Sequence, residues 1–348
     1  MARSGSIAQF EQRLAAQRRE EDRQARERRQ REKDQDRIRE QEHLESQQGA
    51  AEEQTAEVEE RMKTLEEVLS SVLSLRPLSF DRLLTTPRAP EFDPGPAGTP
   101  LPAPDWADFA PVPPTGLGRF LGGSRRHARQ VAEARTRFEA AQEEHLHQES
   151  ERGRALAIAK AQYDRKVTEE RAKVAARNAY VTGRRSAFAA GDAEAVQWFV
   201  GCVLRNSRYP DGFPRDYQVT YRPEDREVAV DFELPPRRVV PAARAYRYVK
   251  ARDAIEAVPR EESAITRSHE RLVSCVALRT LYEIFGATPP DVVRAVAFTG
   301  WVSAVDRATG NPARPRLLSV TAERSAFDDL VLADVDPETC LTHLNALV

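Results

Sequence analysis

The first fifty residues constrain this chain more than any other part of it. Residues 7–48 contain no glycine or proline, and residues 11–45 hold 11 Arg or Lys and 11 Asp or Glu. Such a run favours a long helix held by pairs of opposite charge, each worth roughly 0.2–0.5 kcal/mol. A DNA-binding arm would be basic on balance. We therefore predict a solvated helix that is neither a folded core nor a DNA arm.

An apolar stripe begins only near the end of this helix. Its members are spaced four, three, four and three residues apart, which is the heptad period of a coiled coil. We predict a coiled-coil segment over residues 1–75, although the stripe is shorter than the usual three or four heptads. The alternative is a helix that lies on the chain's own globular domain. The residues of the stripe, which would form the seam of the coiled coil, are Val58, Met62, Leu65, Leu69 and Val72.

Residues 76–123 form a segment with a very different composition. They include eleven prolines and six glycines, which exclude a continuous helix or strand. The segment also carries Phe80, Phe92, Trp106 and Phe109, whereas free linkers are poor in aromatic residues. We predict an extended strap whose aromatic side chains pack on a neighbouring surface; a flexible tether is the alternative.

A second long helix is predicted over residues 124–190, with Ser124 as its cap. Apolar residues recur seven apart in three groups, and the phase slips between the groups, as in a coiled coil with stutters. The two helices then form either a hairpin within one chain or a homodimeric coiled coil. The apolar residues are Val131, Phe138, Leu156, Tyr163, Val167, Val174 and Val181.

Residues 191–348 have the hydrophobic pattern of a small α+β domain. Asp192 is placed to cap a helix with a strong apolar face. Two period-two runs, 217–221 and 228–234, predict a hairpin, and residues 245–250 are a possible third strand. A helix over 261–285 with Gly286 as its C-cap, two more strands and a helix after Pro337 complete the pattern. This order predicts a mainly antiparallel sheet of about five strands.

The balance of charge limits the possible binding partners, and the cysteines indicate the redox compartment. The 348 residues include 53 basic and 55 acidic residues, so the chain has no general attraction for DNA or membranes. Cys202, Cys275 and Cys340 are far apart, as small buried side chains in a reducing compartment would be. No run approaches the roughly 20 apolar residues of a membrane span. We expect a cytoplasmic protein.

Motifs for catalysis, metals or cofactors are missing from the sequence. It has no phosphate-binding glycine loop, no serine nucleophile elbow and no histidines at metal-ligand spacing. Metal-dependent nucleases commonly place an acid two residues before a lysine, and only Asp164 and Lys166 satisfy this spacing, within a predicted helix. We therefore predict no catalytic, metal or cofactor residue in this chain.

A modest group of basic residues is the one candidate for nucleic-acid contact. Basic residues interleaved with aromatics, here Tyr246 and Tyr248, can bind a phosphate backbone and stack bases. The alternative is an edge strand whose arginines face water. The basic residues are Arg237, Arg238, Arg244, Arg247 and Lys250.

Several segments of the chain have distinctive amino-acid sequences. They include LSFDRLL and PDWADFAPVPP in the Pro-rich part, and then VTYRPEDREVAVDFELP, VVPAARAYRYVKARD, AFTGWVSAVDRATGNPARPRLLSV and CLTHLNALV. These segments resemble the region that precedes the nuclease domain in actinobacterial restriction endonucleases of the Mrr-like kind. The resemblance covers nearly everything from about residue 60 onward.

The resemblance implies a role in DNA restriction or anti-phage defence, with cleavage by a PD-(D/E)xK core that uses Mg²⁺. That motif is not found before Val348, so we expect either a truncated nuclease or a cleaving module supplied elsewhere, and no catalytic residue is carried over. Whether the chain is an enzyme stays open. The alternative is a structural coiled-coil scaffold that displays a protein-binding α+β domain, with no DNA involved.

Overall fold

The computed structural model describes residues 4–113 and 123–347. The described residues belong to two compact units. Unit 1 combines Met1–Ser79 with Ser186–Val348, and unit 2 is Phe80–Arg185. The first long helix therefore groups with the α+β domain, and the second groups with the Pro-rich segment. No helix among the described residues is both long and apolar enough to cross a membrane.

The predicted charged helix is confirmed as α1 (Ser4–Glu66), and a single turn, α2 (Ser70–Leu73), follows it. From residue 26 to residue 43 every side chain is exposed. Exposed pairs such as Arg23 with Glu20 and Arg39 with Asp36 join residues three apart on its surface. Opposite charges at this spacing support an isolated helix, as its sequence predicted.

Unit 2 consists of a long helix and an irregular segment that contacts it. The helix α4 (Gly123–Ala189) confirms the second predicted helix, although the cap predicted at Ser124 lies outside the described side chains. The irregular segment contains a short helix, α3 (Phe80–Leu83), and two 3-10 turns. Residues 114–122, between the two, lie outside the described residues.

The Pro-rich segment contacts α4 at points that follow one another along the helix. Asp81 pairs with Arg185, the Thr85 backbone with the Asn178 amide, and the Tyr163 hydroxyl with the Pro90 carbonyl. Further along, Trp106 and Phe109 both pack edge-on against Phe138, with ring centroids 5.5 and 5.6 Å apart. The apolar residues that recur along the sequence of α4 are partly covered: Val131, Phe138, Leu156, Tyr163, Val167 and Val174 are half-buried and Val181 is buried.

The α+β part of unit 1 begins at the predicted helix cap. The Asp192 carboxylate accepts a hydrogen bond of 2.9 Å from the Ala195 N–H, and α5 (Ala193–Asn206) follows. The predicted hairpin is also confirmed: β1 (Tyr217–Arg222) pairs antiparallel with β2 (Glu227–Glu233). These elements are set by local signals, a capping carboxylate and alternating side chains around a turn.

The main sheet is mixed. After β2 come two hairpin strands, β3 (Ala243–Val249) and β4 (Ala254–Pro259), and a helix, α6 (Glu262–Ala287). Then β5 (Ala295–Trp301) pairs parallel with β2. The sequence predicted a mainly antiparallel sheet, and this central parallel pair is a correction to it. A parallel pair needs a long connection between its strands, and the connection from β2 to β5 contains the helix α6.

The remaining elements complete unit 1. Two short strands, β6 (Ala304–Val305) and β7 (Pro312–Ala313), pair with each other. The strand β8 (Arg316–Glu323) pairs antiparallel with β5, so the four-stranded order is β1-β2-β5-β8. Two short helices follow, α7 (Arg324–Asp328) and α8 (Pro337–His343). The core includes Val196, Phe199, Val200, Val228, Leu278, Leu281, Val296 and Phe298.

The predicted third strand forms a separate two-stranded hairpin. β3 pairs with β4, which the sequence did not reveal, and neither joins the main sheet. The Thr55 hydroxyl of α1 accepts a hydrogen bond of 2.9 Å from the Tyr246 N–H and lies 3.2 Å from the Tyr246 carbonyl oxygen. A helix thereby covers a strand edge that would otherwise expose its backbone groups.

The predicted cap at Gly286 is wrong, because α6 continues to Ala287 and Thr288 follows as its C-cap. A Cβ at Gly286 would lie 3.2 Å from Cγ of Pro77, so this glycine gives room to the chain after α2. The Arg324 guanidinium satisfies the end of the helix, since it donates to the Phe285 and Thr288 carbonyls. Carbonyls at a helix end lack partners within the helix.

The predicted coiled-coil seam is covered within the chain. Met62, Leu65, Leu69 and Val72 are buried, and Val58 is half-buried. Arg279 of α6 donates to the Val68 carbonyl, and the Tyr282 hydroxyl donates to the Leu73 carbonyl. The end of α1 and the turn after it thus lie on the α+β part of unit 1. This arrangement favours the alternative interpretation of the stripe, in which the helix lies on the chain's own globular domain.

Candidate nucleic-acid interface

The five basic residues predicted to contact nucleic acid lie on three short pieces of unit 1. Arg237 and Arg238 begin a 3-10 turn, Arg237–Val239, which precedes β3. Arg244 and Arg247 lie on β3, and Lys250 begins the 3-10 turn Lys250–Arg252 that leads towards β4. All five side chains are exposed. Three of the five therefore lie on one hairpin, and the other two lie in the turn that precedes it.

Two of the five charges are already paired within the chain. Arg237 contacts the Glu262 carboxylate at 2.6 Å and donates to the Thr266 hydroxyl. Lys250 contacts Glu40 of α1 at 2.9 Å, and this ammonium lowers the pKa of the Glu40 carboxyl. Exposed pairs of this kind contribute little to stability. They nevertheless reduce the positive potential that a phosphate backbone would meet.

The other three residues, Arg238, Arg244 and Arg247, form no ion pair within the part of the chain that the structure describes. The register of β3 against β4 shifts between Ala243 and Ala245, so Arg244 has no partner across the hairpin. An extra residue of this kind changes the direction in which neighbouring side chains point. It explains why Arg244 and Arg247, three residues apart, are both exposed.

The neighbouring tyrosines are engaged in holding α1. The Tyr248 hydroxyl donates to the Asp253 carboxylate at 2.7 Å, and His43 of α1 contacts the same oxygen at 2.7 Å. The hydrogen bonds from Tyr248 and His43 lower the pKa of Asp253. The His43 ring also packs edge-on against Tyr248, with centroids 6.4 Å apart. The Tyr248 side chain therefore contributes to docking the helix, and Tyr246 does so through its backbone.

Arg237 also lines a cavity of about 800 Å³ that the sequence did not reveal. Its wall includes His269 and Arg316, and it lies beyond the carboxyl ends of the parallel pair β2 and β5, where Pro236 and Val302 follow the strands. Ligands of open α/β sheets commonly bind in this position. These residues are far apart in sequence, so no spacing pattern could have found them.

Candidate metal ligands and nuclease residues do not converge in the described ranges. Across 4–113 and 123–347, no group of three or more His, Cys, Asp or Glu side chains is placed to hold a metal ion. Asp164 and Lys166, the one acid–lysine pair at nuclease spacing, lie exposed on α4. The three cysteines are free, and burial raises the pKa of Cys275 to about 11, so this thiol stays protonated.

Comparison with known proteins leaves the family open. No protein-family model, curated protein or solved structure matches this chain. The resemblance to Mrr-like restriction endonucleases therefore depends on the sequence segments alone, and it enters below as part of a proposal.

Proposed function

We propose that this chain serves in DNA restriction or anti-phage defence, as a recognition part that contacts the DNA backbone. One observation carries the proposal: Arg238, in the turn before β3, and Arg244 and Arg247, on β3, are exposed and lack ion-pair partners in the described residues. The resemblance to restriction endonucleases supports the choice of DNA as the partner. Cleavage with Mg²⁺ would need a nuclease core that is not identified in this chain.

The chemistry of these arginines suits phosphate better than base edges. A guanidinium presents a planar fork of donors that matches phosphate oxygens. Contacts of this kind position a protein on DNA but carry no sequence information. The proposed contact is therefore independent of sequence and sensitive to salt, and any sequence or modification preference would come from other residues.

The first prediction tests the three arginines together. In the triple variant Arg238→Ala, Arg244→Ala and Arg247→Ala, we expect DNA affinity to fall. The slope of log affinity against log salt should become shallower by about 2.7, since each lost phosphate contact removes about 0.9. Fluorescence anisotropy with a labelled duplex, measured across a salt series, gives both quantities.

A matched control removes the same charge elsewhere. Arg165, Arg171 and Arg177 are exposed on α4. Their triple replacement by alanine should leave the salt slope unchanged. Equal losses in the two triple variants, or no binding by the unaltered chain even at low salt, would contradict the proposal.

A second candidate function is a structural scaffold that displays a protein-binding α+β domain without DNA. The pairing of Arg237 with Glu262 and of Lys250 with Glu40 favours it, because these pairs neutralise two of the five basic residues. Under this alternative the unaltered chain shows no salt-dependent DNA affinity, which the same titration measures.

The Pro-rich segment is proposed to act as a strap on α4. The polar contacts of Glu149 support this role: Leu101 donates its N–H to the carboxylate, and Arg152 pairs with it at 2.7 Å while also donating to the Ala97 carbonyl. In this way one acid of α4 is bound to both the segment and the helix.

A second prediction concerns the pH dependence of this contact. Hydrogen bonds from Arg152 and from the Leu101 N–H lower the pKa of Glu149 from 4.5 to about 2. The contribution of the carboxylate is therefore complete above pH 4.5 and is lost as the pH falls through about 2. We expect hydrogen-exchange protection of the Leu101 amide to decrease over this window.

The variant Glu149→Gln should remove that pH dependence, whereas Glu169→Gln, at an exposed position of the same helix, should keep it. Exchange measured by mass spectrometry and corrected for the intrinsic rate at each pH distinguishes the two variants. Protection that stays constant in the unaltered chain from pH 4.5 to pH 2 would contradict the proposed contact.

A further inference from the structure

A second cavity of unit 1, of about 510 Å³, lies where α5 ends and β1 begins. This volume falls within the roughly 300–1,000 Å³ of small-molecule sites. Its wall combines three aromatic rings with two arginines, and the proposed DNA contact uses none of them. The residues that matter are Arg205, Ser207, Tyr209, Arg215, Tyr217 and Phe232.

The aromatic rings form a wall of fixed geometry. Tyr217 and Phe232 face each other across β1 and β2, with ring centroids 6.3 Å apart and planes within 10° of parallel. The Tyr217 hydroxyl donates to the Gly201 carbonyl at 2.9 Å, which holds the ring against α5. Tyr209 completes the wall, with its centroid 5.8 Å from that of Phe232. Of these rings Tyr217 is half-buried and offers surface to a planar ligand, whereas Phe232 is only 3% exposed and supports it.

The buried side of the wall is held by an ionic network. Arg279 lies over the Tyr209 ring at 4.5 Å, and the Ser207 hydroxyl donates to the Glu283 carboxylate at 2.8 Å. Burial raises the pKa of Tyr209 to about 12, so its hydroxyl stays protonated. The site is thus ordered before any ligand arrives, which reduces the entropy that binding would otherwise cost.

The rim of the cavity is basic. Arg205 and Arg215 are exposed, and neither forms an ion pair within the described parts of the chain. Arg205 instead directs one nitrogen to the Cys202 sulfur, at 3.3 Å. One acid also lines the cavity, Asp216, but its carboxylate lies 3.9 Å from Arg314, which offsets its charge. An anionic group is therefore favoured at the rim, and a cationic ligand is disfavoured.

We propose that this cavity binds a nucleotide unit, that is, a planar heteroaromatic ring that carries a phosphate. The ring packs on Tyr217, which Phe232 supports from the core, and the phosphate lies between Arg205 and Arg215. Stacking on aromatic side chains with arginines beside the phosphates is the usual chemistry of proteins that hold single nucleotides of a strand. A DNA strand and a free nucleotide present the same groups. The inference therefore rests on the proposed function only for which of the two supplies the nucleotide unit.

The test is a calorimetric titration of the full chain with dAMP, deoxyadenosine and inorganic phosphate. We expect dAMP to bind more tightly than either of its parts. The variant Tyr217→Leu should weaken dAMP binding roughly five- to 150-fold, the range expected for losing one stacking ring. Tyr217→Phe keeps the ring but loses the hydrogen bond to Gly201, so it should bind dAMP more tightly than Tyr217→Leu does. Urea unfolding of both variants separates loss of stacking from loss of folding.

The double variant Arg205→Gln and Arg215→Gln isolates the phosphate contact. We expect it to weaken dAMP binding by roughly tenfold or more, since hydrogen bonds to a charged group are lost, and to leave deoxyadenosine binding unchanged. No heat with millimolar dAMP, equal affinities for dAMP and phosphate, or an unaffected double variant would overturn the proposal.

Two further arms separate this inference from the proposed DNA contact. The Arg238, Arg244 and Arg247 triple variant should bind dAMP as the unaltered chain does, so a failure of the DNA proposal leaves this one standing. Competition between dAMP and a short oligo-dA strand would identify DNA as the source of the nucleotide. Binding of dAMP without such competition would identify a free nucleotide.

Discussion

Replacing Arg279 with alanine is expected to lower the free energy of unfolding by about 3–5 kcal/mol, the usual cost of removing one partner from a buried ion pair. The Arg279 side chain is only 3% exposed and contacts Glu283 at 3.2 Å within α6. Burial raises the pKa of Glu283, and the arginine acts against that rise. Without the arginine, the carboxylate would remain buried without a cation.

Arg279 also connects three separate parts of unit 1. Its guanidinium donates to the Val68 carbonyl after α1, to the Arg208 carbonyl after α5 and to the Ser207 hydroxyl. Its face lies over the Tyr209 ring. Each backbone carbonyl would lose a charged donor in the alanine variant. We therefore expect the docking of the end of α1 to weaken together with the global stability.

Urea unfolding followed by circular dichroism measures the change, and Arg271→Ala is its control. Arg271 pairs with Asp336 at 2.6 Å, but both side chains are half-exposed, so its loss should cost only about 0–1 kcal/mol. The double variant Arg279→Met and Glu283→Leu should recover part of the stability, because it removes both buried charges. Similar costs for Arg279→Ala and Arg271→Ala would contradict this account.

The second large effect is expected at Leu65. This residue is 4% exposed in the single chain, and Val68, Leu69 and Val72 beside it are equally buried. Leu65→Ala should lower the free energy of unfolding by about 2–5 kcal/mol, because it leaves a cavity under the end of α1. Leu75→Ala, at a residue that is 58% exposed, should change it by no more than about 0.5 kcal/mol.

Light scattering of this variant and of a charged variant decides between the two interpretations of the stripe. If the stripe lies on its own domain, Leu65→Ala lowers stability and leaves the mass measured by light scattering unchanged. If the stripe were a coiled-coil seam, charged residues at Leu65 and Leu69 would convert a dimer into folded monomers. A dimer that dissociates without loss of stability would contradict the structure of unit 1.

The sequence predicted best where structure depends on neighbouring residues. The charge pairs of α1, the Asp192 cap and the alternating strands β1 and β2 all follow from side chains within a few positions of one another. For the candidate interface the sequence identified the five basic residues. It did not reveal that Glu262 and Glu40 pair with two of them, because those acids come from other elements.

The elements that were missed depend on contacts between distant residues. Gly286 looked like a helix cap, yet its role is set by Pro77, more than 200 residues earlier. The pairing of β2 with β5 is parallel only because α6 crosses between them. The cavity beside Arg237 is built from elements that the chain order separates. Local propensity and periodicity contain no information about such contacts.

The charge-neutral helix at the start of the chain shows which features follow from the sequence and which from the tertiary structure. The sequence by itself determined that residues 11–45 form a long solvated helix, because equal numbers of acids and bases can pair along its surface but cannot form a core. Only the tertiary structure decided what its apolar end contacts. A heptad-spaced stripe fits a partner helix and a globular surface equally well, and the buried donors of Arg279 hold it on its own domain.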